Sequence, residues 1–370
     1  MADPQVAHSE TDPARTVLEA CRRAGFALAG IAPASPTDYA EELHAWLRAG
    51  KHGEMHYLEK HVEARLDPER ILEGARSVIC VADRHVDRAP SDRLPSERRF
   101  RGRIARYARG DDYHRVIKKR LHALADELST RFPEERFRAC VDTAPLLERE
   151  YAARAGLGAI GKHTLLIERG VTSYLLLGEL LTTLELNGTG PEERIDPCAS
   201  CTRCIEACPT DAITPWSVDA TRCISYLTIE HRSMIDESFF EPIGDWLFGC
   251  DICQEVCPHN RPTRRTKAAA RHEAYAPRTD SFDLLEMLNW SEDDRRAALT
   301  HSAIKRAKLN MLKRNALIVA GNALRNGQDD ADHPQLRARI RELADDQTED
   351  ALVRDTARQI QRRLDTPPND

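Results

Sequence analysis

The sequence predicts a three-part protein: an α/β or α+β domain, a small cysteine-rich module, and a helical C-terminal part. Residues 1–185 alternate helical periodicity with short apolar runs, residues 186–265 are rich in cysteine and proline, and residues 266–370 are helical in pattern almost throughout. At 370 residues the chain exceeds the usual size of one hydrophobic core. We therefore expect these three segments to form three domains.

The composition excludes several classes of protein. With 41% apolar and 31% charged residues the chain is typical of a globular protein, and its net charge of -6 identifies no partner. No apolar run reaches the length of a membrane span. Eight of the eleven cysteines lie between Cys198 and Cys257, a density that favours reduced, metal-binding thiols over a secreted disulfide scaffold. We expect a cytoplasmic protein that does not bind membranes.

The first 40 residues allow two interpretations. Arg22 and Arg23 precede a short apolar run with an A-x-A-like end, which resembles a twin-arginine export signal. Several acidic residues precede the arginine pair, however. The stretch ARTVLEACRRAG also has the pattern of an amphipathic helix that ends at Gly25 and leads into a strand, FALAGIA. We favour the helix and keep export as the alternative.

Short apolar runs at 77–82, 137–142 and 163–168 predict strands of the first domain. The glycine-rich stretch AGLGAIG, residues 155–161, contains a loose G-x-G-x-x-G pattern. It follows a predicted helix and precedes a predicted strand, which is the reverse of the order in a dinucleotide-binding turn. The pattern therefore argues against a nicotinamide cofactor.

The cysteine spacing predicts two [4Fe-4S] clusters. The first run has the spacing C-x2-C-x2-C-x3-C-P of bacterial ferredoxins, in which three thiolates bind one cluster and the fourth binds the other. A second run, C-x2-C-x3-C-P, follows, and one isolated cysteine lies between the two runs. This exchange assigns the first cluster to Cys198, Cys201, Cys204 and Cys257, and the second cluster to Cys208, Cys223, Cys250 and Cys253.

Structural zinc is the alternative for these cysteines, because zinc also accepts four thiolates. Three cysteines at two-residue intervals suit a cubic cluster better than one tetrahedral ion, and the Cys-Pro ending occurs twice. The remaining cysteines, Cys21, Cys80 and Cys140, lie in apolar surroundings and are predicted to be buried. Two clusters indicate one-electron transfer but do not identify a reaction.

The stretch CVDTAPLLEREYAARAGLGAIGKHTLLI, residues 140–167, resembles a segment of the epoxyqueuosine reductases. Further matching stretches follow the same order along the chain and span most of it: EARLDPERILEGARSVI, GRIARYARGDDYH, RCISYLTIEHR, GCDICQEVCPHN and KRAKLNMLKRNALIVAGNAL.

The resemblance implies a domain arrangement and an activity. Residues 1–185 would be a cobalamin-binding catalytic domain similar to that of reductive dehalogenases, residues 186–265 a ferredoxin-like module with two [4Fe-4S] clusters, and residues 266–370 a HEAT-like helical domain that contacts tRNA. The implied reaction is the last step of queuosine biosynthesis, the reduction of epoxyqueuosine in tRNA to queuosine by cob(I)alamin that the clusters supply with electrons. The implied partners are a tRNA with a queuosine-type anticodon and an electron donor of flavodoxin or ferredoxin type, and the implied oligomeric state is a monomer.

Two other classes of function stay open. A related small-molecule reductase of the reductive dehalogenase type would use the same cofactors. A non-catalytic electron carrier would use the clusters alone, with the helical part binding a partner.

The resemblance assigns the role of proton donor to Asp142. An epoxide oxygen is a poor leaving group unless a positioned acid protonates it during C–O cleavage. A carboxylic acid does this near neutral pH when its surroundings raise its pKa, so we expect a raised pKa for Asp142. The alternative is that Asp142 caps the following helix.

The resemblance also suggests which residues lie near cobalamin. Alternatives are an exposed position at a helix end for Arg65 and a local turn for Ser225. Ala105 stands where some relatives carry a cysteine, which puts a cofactor contact there in doubt. No D-x-H-x-x-G stretch occurs, so no histidine ligand to cobalt is expected. The predicted cobalamin contacts are Arg65, Lys162, Thr164, Ser173 and Ser225.

Clusters of basic residues near the C-terminal part could bind RNA phosphates while a loop base enters the catalytic domain. The alternative is an ordinary solvated helix face, and the acidic residues near the C-terminus argue against a uniformly basic surface. The basic positions are the stretch RPTRRTKAAAR at 261–271 and the predicted tRNA contacts Arg232, Lys305, Arg306, Lys313 and Arg314.

Overall fold

The computed structural model describes residues 12–86, 100–191, 193, 195–261, 270–325 and 334–366. Its strands are β1 (Leu28–Pro33), β2 (Ser77–Arg84), β3 (Arg101–Ile104), β4 (Phe137–Cys140), β5 (Ala159–Ile160), β6 (Leu166–Ile167), β7 (Leu175–Thr182), β8 (Ile213–Thr214), β9 (Ser217–Val218), β10 (Trp246–Phe248) and β11 (Ser281–Asp283). Its helices are α1 (Pro13–Arg23), α2 (Ala40–Arg48), α3 (Val62–Leu66), α4 (Tyr113–Arg131), α5 (Glu148–Arg154), α6 (Arg203–Glu206), α7 (Ile224–Ile229), α8 (Phe240–Ile243), α9 (Ile252–Glu255), α10 (Leu284–Leu288), α11 (Glu292–Ala298), α12 (Leu309–Arg325), α13 (Pro334–Asp345) and α14 (Ala351–Asp365).

A four-stranded antiparallel sheet, in the order β1-β2-β7-β4, is the centre of the N-terminal part. Helices α1 and α4 pack on one face, and α5 packs on the other. Because both faces are covered, the two inner strands, β2 and β7, are buried over almost their whole length. Gly178 in β7 lets α4 approach closely, since a Cβ there would lie 2.5 Å from a methyl carbon of Ile117.

The helix predicted near the N-terminus is confirmed as α1. Asp12 accepts a hydrogen bond from the main chain two residues on at 3.1 Å, and Pro13 occupies the first turn, as is common at helix starts. The helix is followed by Gly25 in the left-handed region, at φ +81°. Arg22 and Arg23 lie in its last turn.

The three predicted strands are present, although their lengths differ from the apolar runs. The run at 77–82 extends to a full β2, the run at 137–142 ends at Cys140, and the run at 163–168 contributes only two residues to β6. The glycine-rich stretch follows α5, contains the two residues of β5 and precedes β6, so it comes after a helix and before a strand, as predicted.

A second sheet, in the order β10-β3-β11, connects the three predicted segments. Strand β3 of the first segment pairs in parallel with β10 of the cysteine-rich segment and antiparallel with β11 of the C-terminal segment. One hydrophobic core accordingly includes Ile104, Leu247 and Leu312, one side chain from each segment. The predicted boundaries follow the composition, whereas the packing crosses them.

The C-terminal segment is helical, as predicted. Helix α12 packs against α10 and α14, and α13 packs against α14. Whether this arrangement is a HEAT-like repeat stays a prediction. None of the helices in the described ranges combines the length and apolar character that a bilayer span needs.

Two basic residues of α12 are buried and do not face solvent. Arg314 has no exposed surface and donates hydrogen bonds of 2.7 Å to three main-chain oxygens in the segment 227–233. Lys313 is 6% exposed, and its ammonium pairs with Glu349 at 2.8 Å. The prediction that Lys313 and Arg314 contact tRNA is therefore wrong, because a phosphate group cannot reach them.

We expect Arg314→Met to destabilise the protein. The variant leaves three buried carbonyl oxygens without their donor, which costs on the order of 3 kcal/mol in the free energy of unfolding. The measurement is the thermal unfolding temperature of the cluster-loaded protein by circular dichroism, with exposed Lys308→Met as the control. An unchanged unfolding temperature for Arg314→Met would contradict the structural role.

Candidate functional site

The first predicted set of cysteines comes together beside the loop after β5. Burial raises the pKa of the Cys204 thiol to about 11, and the neighbouring charges at Cys198, Cys257 and Cys201 add to the rise. The main-chain N–H of Lys162 donates to the Cys198 sulfur at 3.4 Å. The four thiols thus lie near one another, although Cys257 is far from the others in sequence.

The second predicted set gathers between α7 and α9. Burial raises the pKa of the Cys250 thiol, and the charges at Cys223 and Cys208 add to this rise. The pKa of the Cys253 thiol is raised in the same way, first by burial and then by the charges at Cys250 and Cys223. The main-chain N–H of Ala212 donates to the Cys208 sulfur at 3.4 Å.

Main-chain N–H groups donate to one sulfur of each set, to Cys198 in the first and to Cys208 in the second. Hydrogen bonds to the ligand sulfurs are among the contacts by which a protein tunes an iron–sulfur cluster. These N–H···S contacts therefore fit the predicted [4Fe-4S] clusters.

Asp142 lies in the loop between β4 and α5. Its φ of +44° is in the left-handed region, and its side chain is 54% exposed. The Asp142 main-chain N–H donates to the carboxylate of Glu148. Helix α5 begins after Leu147 and has no side-chain cap, so the interpretation of Asp142 as a helix cap is wrong.

The electrostatics around Asp142 differ from the expectation. His114 Nε2 lies 3.0 Å from Asp142 Oδ2, and His114 Nδ1 lies 2.7 Å from Asp112 Oδ1. Burial disfavours the imidazolium, but the hydrogen bonds to Asp112 and Asp142 outweigh it and raise the pKa of His114 to about 9. Burial favours a protonated Asp142, yet the hydrogen bond to His114 holds the pKa of Asp142 below its ordinary value. The predicted rise in the Asp142 pKa is therefore wrong: at neutral pH His114 carries the proton.

Arg65, Tyr57 and Arg306 lie close enough to Asp142 to share its electrostatic environment. Burial lowers the pKa of Arg65, while the charges of Tyr57 and Asp142 raise it. Nε of Arg65 is buried and has no hydrogen-bond partner among the described residues. The Arg306 guanidinium lies 5.6 Å from the centre of the Tyr57 ring. We call Tyr57, Arg65, His114, Asp142 and Arg306 the Asp142 site.

Lys162 and Ser173, predicted near cobalamin, have partners in the cysteine-rich segment. The Lys162 ammonium donates to the main-chain oxygens of Ala199 at 2.7 Å and Cys201 at 3.1 Å. The Ser173 main-chain N–H donates to Asn260 Oδ1 at 2.7 Å, and the Ser173 hydroxyl oxygen accepts from Asn260 Nδ2 at 2.8 Å. These contacts stabilise the junction with the cysteine-rich segment, and contact with cobalamin stays a prediction for both residues.

The remaining predicted cobalamin contacts are Thr164 and Ser225. Both oxygens of Thr164 accept hydrogen bonds from Arg149, at 2.6 and 3.0 Å. The main-chain N–H of Ser225 donates to the Cys223 sulfur, so Ser225 lies at the second set of cysteines. Ala105 is buried in the core beside Gly249.

The surviving candidates for tRNA contact are exposed. Arg306 makes a two-point ion pair with Glu230 at 2.8 Å, and the Lys305 ammonium pairs with Asp112 at 2.5 Å. Arg306 belongs to the Asp142 site, and Lys305 lies beside the site because its partner Asp112 also contacts His114. Arg232 is exposed and donates its main-chain N–H to Glu54. Most of the basic stretch at 261–271 lies outside the described residues.

A pair of glutamates near Asp142, half-buried Glu148 and buried Glu179, is absent from the sequence prediction. Glu179 is fully buried in the centre of β7, opposite Cys80 on one neighbouring strand and Cys140 on the other. Burial and the Asp142 charge raise the pKa of Glu148 to about 7, and burial and Glu148 raise the pKa of Glu179 well above its ordinary value. The pair therefore retains a proton at neutral pH. The only sequence signal was one glutamate in an apolar strand.

Comparisons with known proteins agree with this arrangement. A family model described as "Epoxyqueuosine reductase QueG, DUF1730" matches residues 65–143, and a "4Fe-4S double cluster binding domain" matches residues 197–260. An epoxyqueuosine reductase of Leadbetterella byssophila is 39% identical over 302 residues, which are 80% of this chain and 94% of that protein.

Two solved structures extend the likeness to the fold. A crystal structure of epoxyqueuosine reductase with an epoxyqueuosine-modified tRNA-Tyr stem loop matches with a TM-score of 0.82 and 26% identity, over 95% of this chain and 89% of that one. An epoxyqueuosine reductase of Bacillus subtilis, with its catalytic aspartate loop swung out of the active site, matches with a TM-score of 0.80 and 25% identity, over 95% and 90% of the two chains.

The fold and the two sets of cysteines define an iron–sulfur oxidoreductase with a double-cluster module. Its similarity to the relatives extends over most of both chains. The chain belongs to the epoxyqueuosine reductase family.

Removal of one cysteine of the second set is expected to remove one cluster. We expect Cys208→Ser to lower bound iron from about eight to about four atoms per chain, because one four-thiolate set becomes incomplete. The measurement is iron and zinc content after anaerobic reconstitution, with Cys21→Ser, in the buried face of α1, as the control. Full iron in Cys208→Ser, or zinc in place of iron in the unchanged protein, would contradict the assignment.

Proposed function

We propose that this protein reduces epoxyqueuosine in tRNA to queuosine. The observation that carries the proposal is the Asp142 site, in which an exposed carboxylate contacts a histidine whose pKa is raised to about 9. Asp142 lies within residues 65–143, which match the family model. The relatives of this chain are named for this activity. The reaction consumes two electrons and two protons and releases the epoxide oxygen as water.

The chain's own residues would bind the substrate and supply protons. Asp142 is exposed and lies next to a proton on His114, so it can pass a proton to the departing oxygen during C–O cleavage. Arg65 brings a cation with a free buried N–H to the same place, which suits a polar group of the substrate or cofactor. The relative whose catalytic aspartate loop is swung out suggests that the loop carrying Asp142 also moves.

Cobalamin is the proposed second cofactor. When bound, it would supply the strongly reducing centre that the epoxide needs. The proposed contacts are Arg65, Lys162, Thr164, Ser173 and Ser225, of which only Arg65 belongs to the Asp142 site. The unpaired Arg65 N–H and the exposed Asp142 fit a bound polar group there.

The division of labour follows the predicted segments. Residues 1–185 would bind cobalamin, and residues 186–265 would hold the two clusters with the ligand sets that the sequence predicts. Lys162 links these two parts, because its ammonium holds the loop that carries Cys198 and Cys201. An external one-electron donor, of flavodoxin or ferredoxin type, would reduce the clusters.

The helical C-terminal segment would hold the tRNA beside the Asp142 site. Lys305 and Arg306 are exposed and close to Asp142, so phosphates bound there would leave a flipped loop base within reach of Asp142. A relative was solved with a modified tRNA stem loop, which supports this kind of substrate.

We expect Asp142→Asn to abolish most of the activity. Anaerobic protein with reconstituted clusters is mixed with cobalamin, a chemical reductant and tRNA carrying epoxyqueuosine, and the digested nucleosides are analysed by mass. The amide cannot deliver a proton, so conversion to queuosine should fall by a factor of roughly 100 or more. Asp126→Asn, at an exposed position of α4, is the matched control.

Three other results would change the proposal. Full activity in Asp142→Asn would exclude this residue as the proton donor. Bound cobalamin without conversion of the tRNA would favour a small-molecule reductase. A protein that contains both clusters and binds no cobalamin would favour an electron carrier.

We expect Lys305→Ala and Arg306→Ala to weaken RNA binding. Each variant loses one phosphate contact, so the slope of log affinity against log salt should fall by about one for each. The measurement is the dissociation constant of an anticodon stem loop at several salt concentrations. Arg131→Ala, exposed at the end of α4, should behave as the unchanged protein. Equal slopes in all four proteins would exclude this surface as the RNA site.

A further inference from the structure

A continuous chain of charged contacts joins the C-terminal segment to Asp142. Lys305 Nζ lies 2.5 Å from Asp112 Oδ2, and Asp112 Oδ1 lies 2.7 Å from His114 Nδ1. His114 Nε2 then lies 3.0 Å from Asp142 Oδ2. Asp112 is buried, whereas Lys305 and Asp142 at the two ends are exposed. The chain therefore leads from the proposed RNA surface to the proposed proton donor.

The fold fixes the middle of this chain. Asp112 is the N-cap of α4, and its carboxylate accepts the main-chain N–H of His114 at 3.2 Å as well as the contact from the ring. The ring of Tyr113 stacks on that of His114, with 3.9 Å between ring centres. The imidazole is thus held from both nitrogens and on one face, so its second nitrogen is directed at Asp142.

We propose that His114 holds the proton that Asp142 delivers to the substrate, and that Asp112 and Lys305 together set how firmly His114 holds it. This inference rests on the proposed function, because it assigns a source to the proton that the epoxide reduction consumes. His114 acts through Asp142 and is a positioning and proton-holding residue.

In this proposal each proton moves from His114 through Asp142 to the substrate oxygen. The N–H bond at His114 Nε2 breaks as an O–H bond forms at Asp142 Oδ2, and the Asp142 proton passes to the departing oxygen as the C–O bond breaks. The two electrons come from the external one-electron donor through the clusters. His114 is left neutral and takes up a proton from solvent, since its side chain is 33% exposed. The second proton, which releases the oxygen as water, follows by the same route.

The charges that face His114 come from every element packed around it, and they oppose one another. Asp112 and Asp142 raise the pKa of His114 to about 9, against burial, which lowers it. Lys305 and Arg306 from the C-terminal segment act on Asp112 and Asp142, and Glu148 of α5 acts on Asp142. The ionisable groups to consider are therefore Asp112, Tyr113, Asp142, Glu148, Lys305 and Arg306.

Through Lys305, the binding of RNA would change how firmly His114 holds its proton. While Lys305 pairs with Asp112, its positive charge weakens the hold of Asp112 on the imidazolium. A phosphate that draws Lys305 away removes this opposing charge, so His114 holds its proton more firmly once the substrate is bound. The proton is thereby secured when the substrate arrives.

The first test measures the proton on His114 without any catalysis. Hydrogen exchange at the C2 position of histidine, followed by mass spectrometry across pH, reports the pKa of individual histidines in the cluster-loaded protein. We expect a pKa near 9 for His114. Asp112→Asn should lower it by about one unit or more, because an anionic partner is lost. Lys305→Met should raise it by less than about one unit, because an opposing cation is lost.

The second test is the pH dependence of a single turnover with saturating RNA. In the unchanged protein the rate should fall as pH rises through about 9, where His114 loses its proton. Asp112→Asn should move this fall to lower pH and Lys305→Met to higher pH. His114→Gln should lower the rate by roughly 100-fold and abolish the fall near pH 9. His301→Gln, whose ring pairs with Arg115 and not with Asp142, should keep the normal profile.

The outcomes separate this inference from the proposed function. An unchanged rate and pH profile in His114→Gln, or a His114 pKa near its ordinary value of about 6.5, would overturn the inference alone. If Asp112→Asn and Lys305→Met shift the His114 pKa in the same direction, the proposed role of Lys305 is overturned. Absence of any queuosine with the unchanged protein would refute the proposed function, and histidine exchange would then still decide whether His114 holds a proton in this way.

Discussion

The exchange of one cysteine between two runs is the constraint on which the rest of the structure depends. Cys257 lies near the first run and Cys208 lies near the second, so neither proposed ligand set is complete unless the segments that carry them lie side by side. The cysteine-rich segment contributes side chains such as Phe240 and Leu247 to a core that it shares with Ile104 and with the C-terminal helices. Binding of two clusters would therefore fix this segment and also the surfaces on either side of it.

The same packing creates the Asp142 site, which no segment contains alone. Tyr57, Arg65, His114 and Asp142 come from the N-terminal part, and Arg306 comes from the C-terminal segment. Strand β3, held between β10 and β11, draws these parts together at the start of α4. A site at such a junction can respond to a substrate that binds one part and reacts at another. The ion pair of Lys305 with Asp112 is the contact through which it would respond.

The sequence predicted those features that depend on local pattern. Cysteine spacing predicted two sets of thiols, and within each set the structure brings cysteines distant in sequence near one another. The helix pattern and the apolar runs identified α1, β2 and β4. The prediction failed where contacts between residues distant in sequence determine which side chains are buried. Lys313 and Arg314 have the charge of RNA-binding residues, but α12 turns them into the protein, where Glu349 and main-chain oxygens satisfy them. Charge in a helix does not show which face is buried.

The position of the proton is the clearest case of information that a single motif lacks. The segment containing Asp142 matches the family, and the expectation of a raised pKa followed from the chemistry of a general acid. The residue that lowers the pKa of Asp142 is His114, which lies 28 positions earlier in the chain. Asp112, at the start of another helix, holds the His114 ring in place. An acid need not store its proton if a neighbour at 3.0 Å does so. A low pKa for Asp142 is then compatible with proton delivery, because the ion pair as a whole carries one proton through the neutral range.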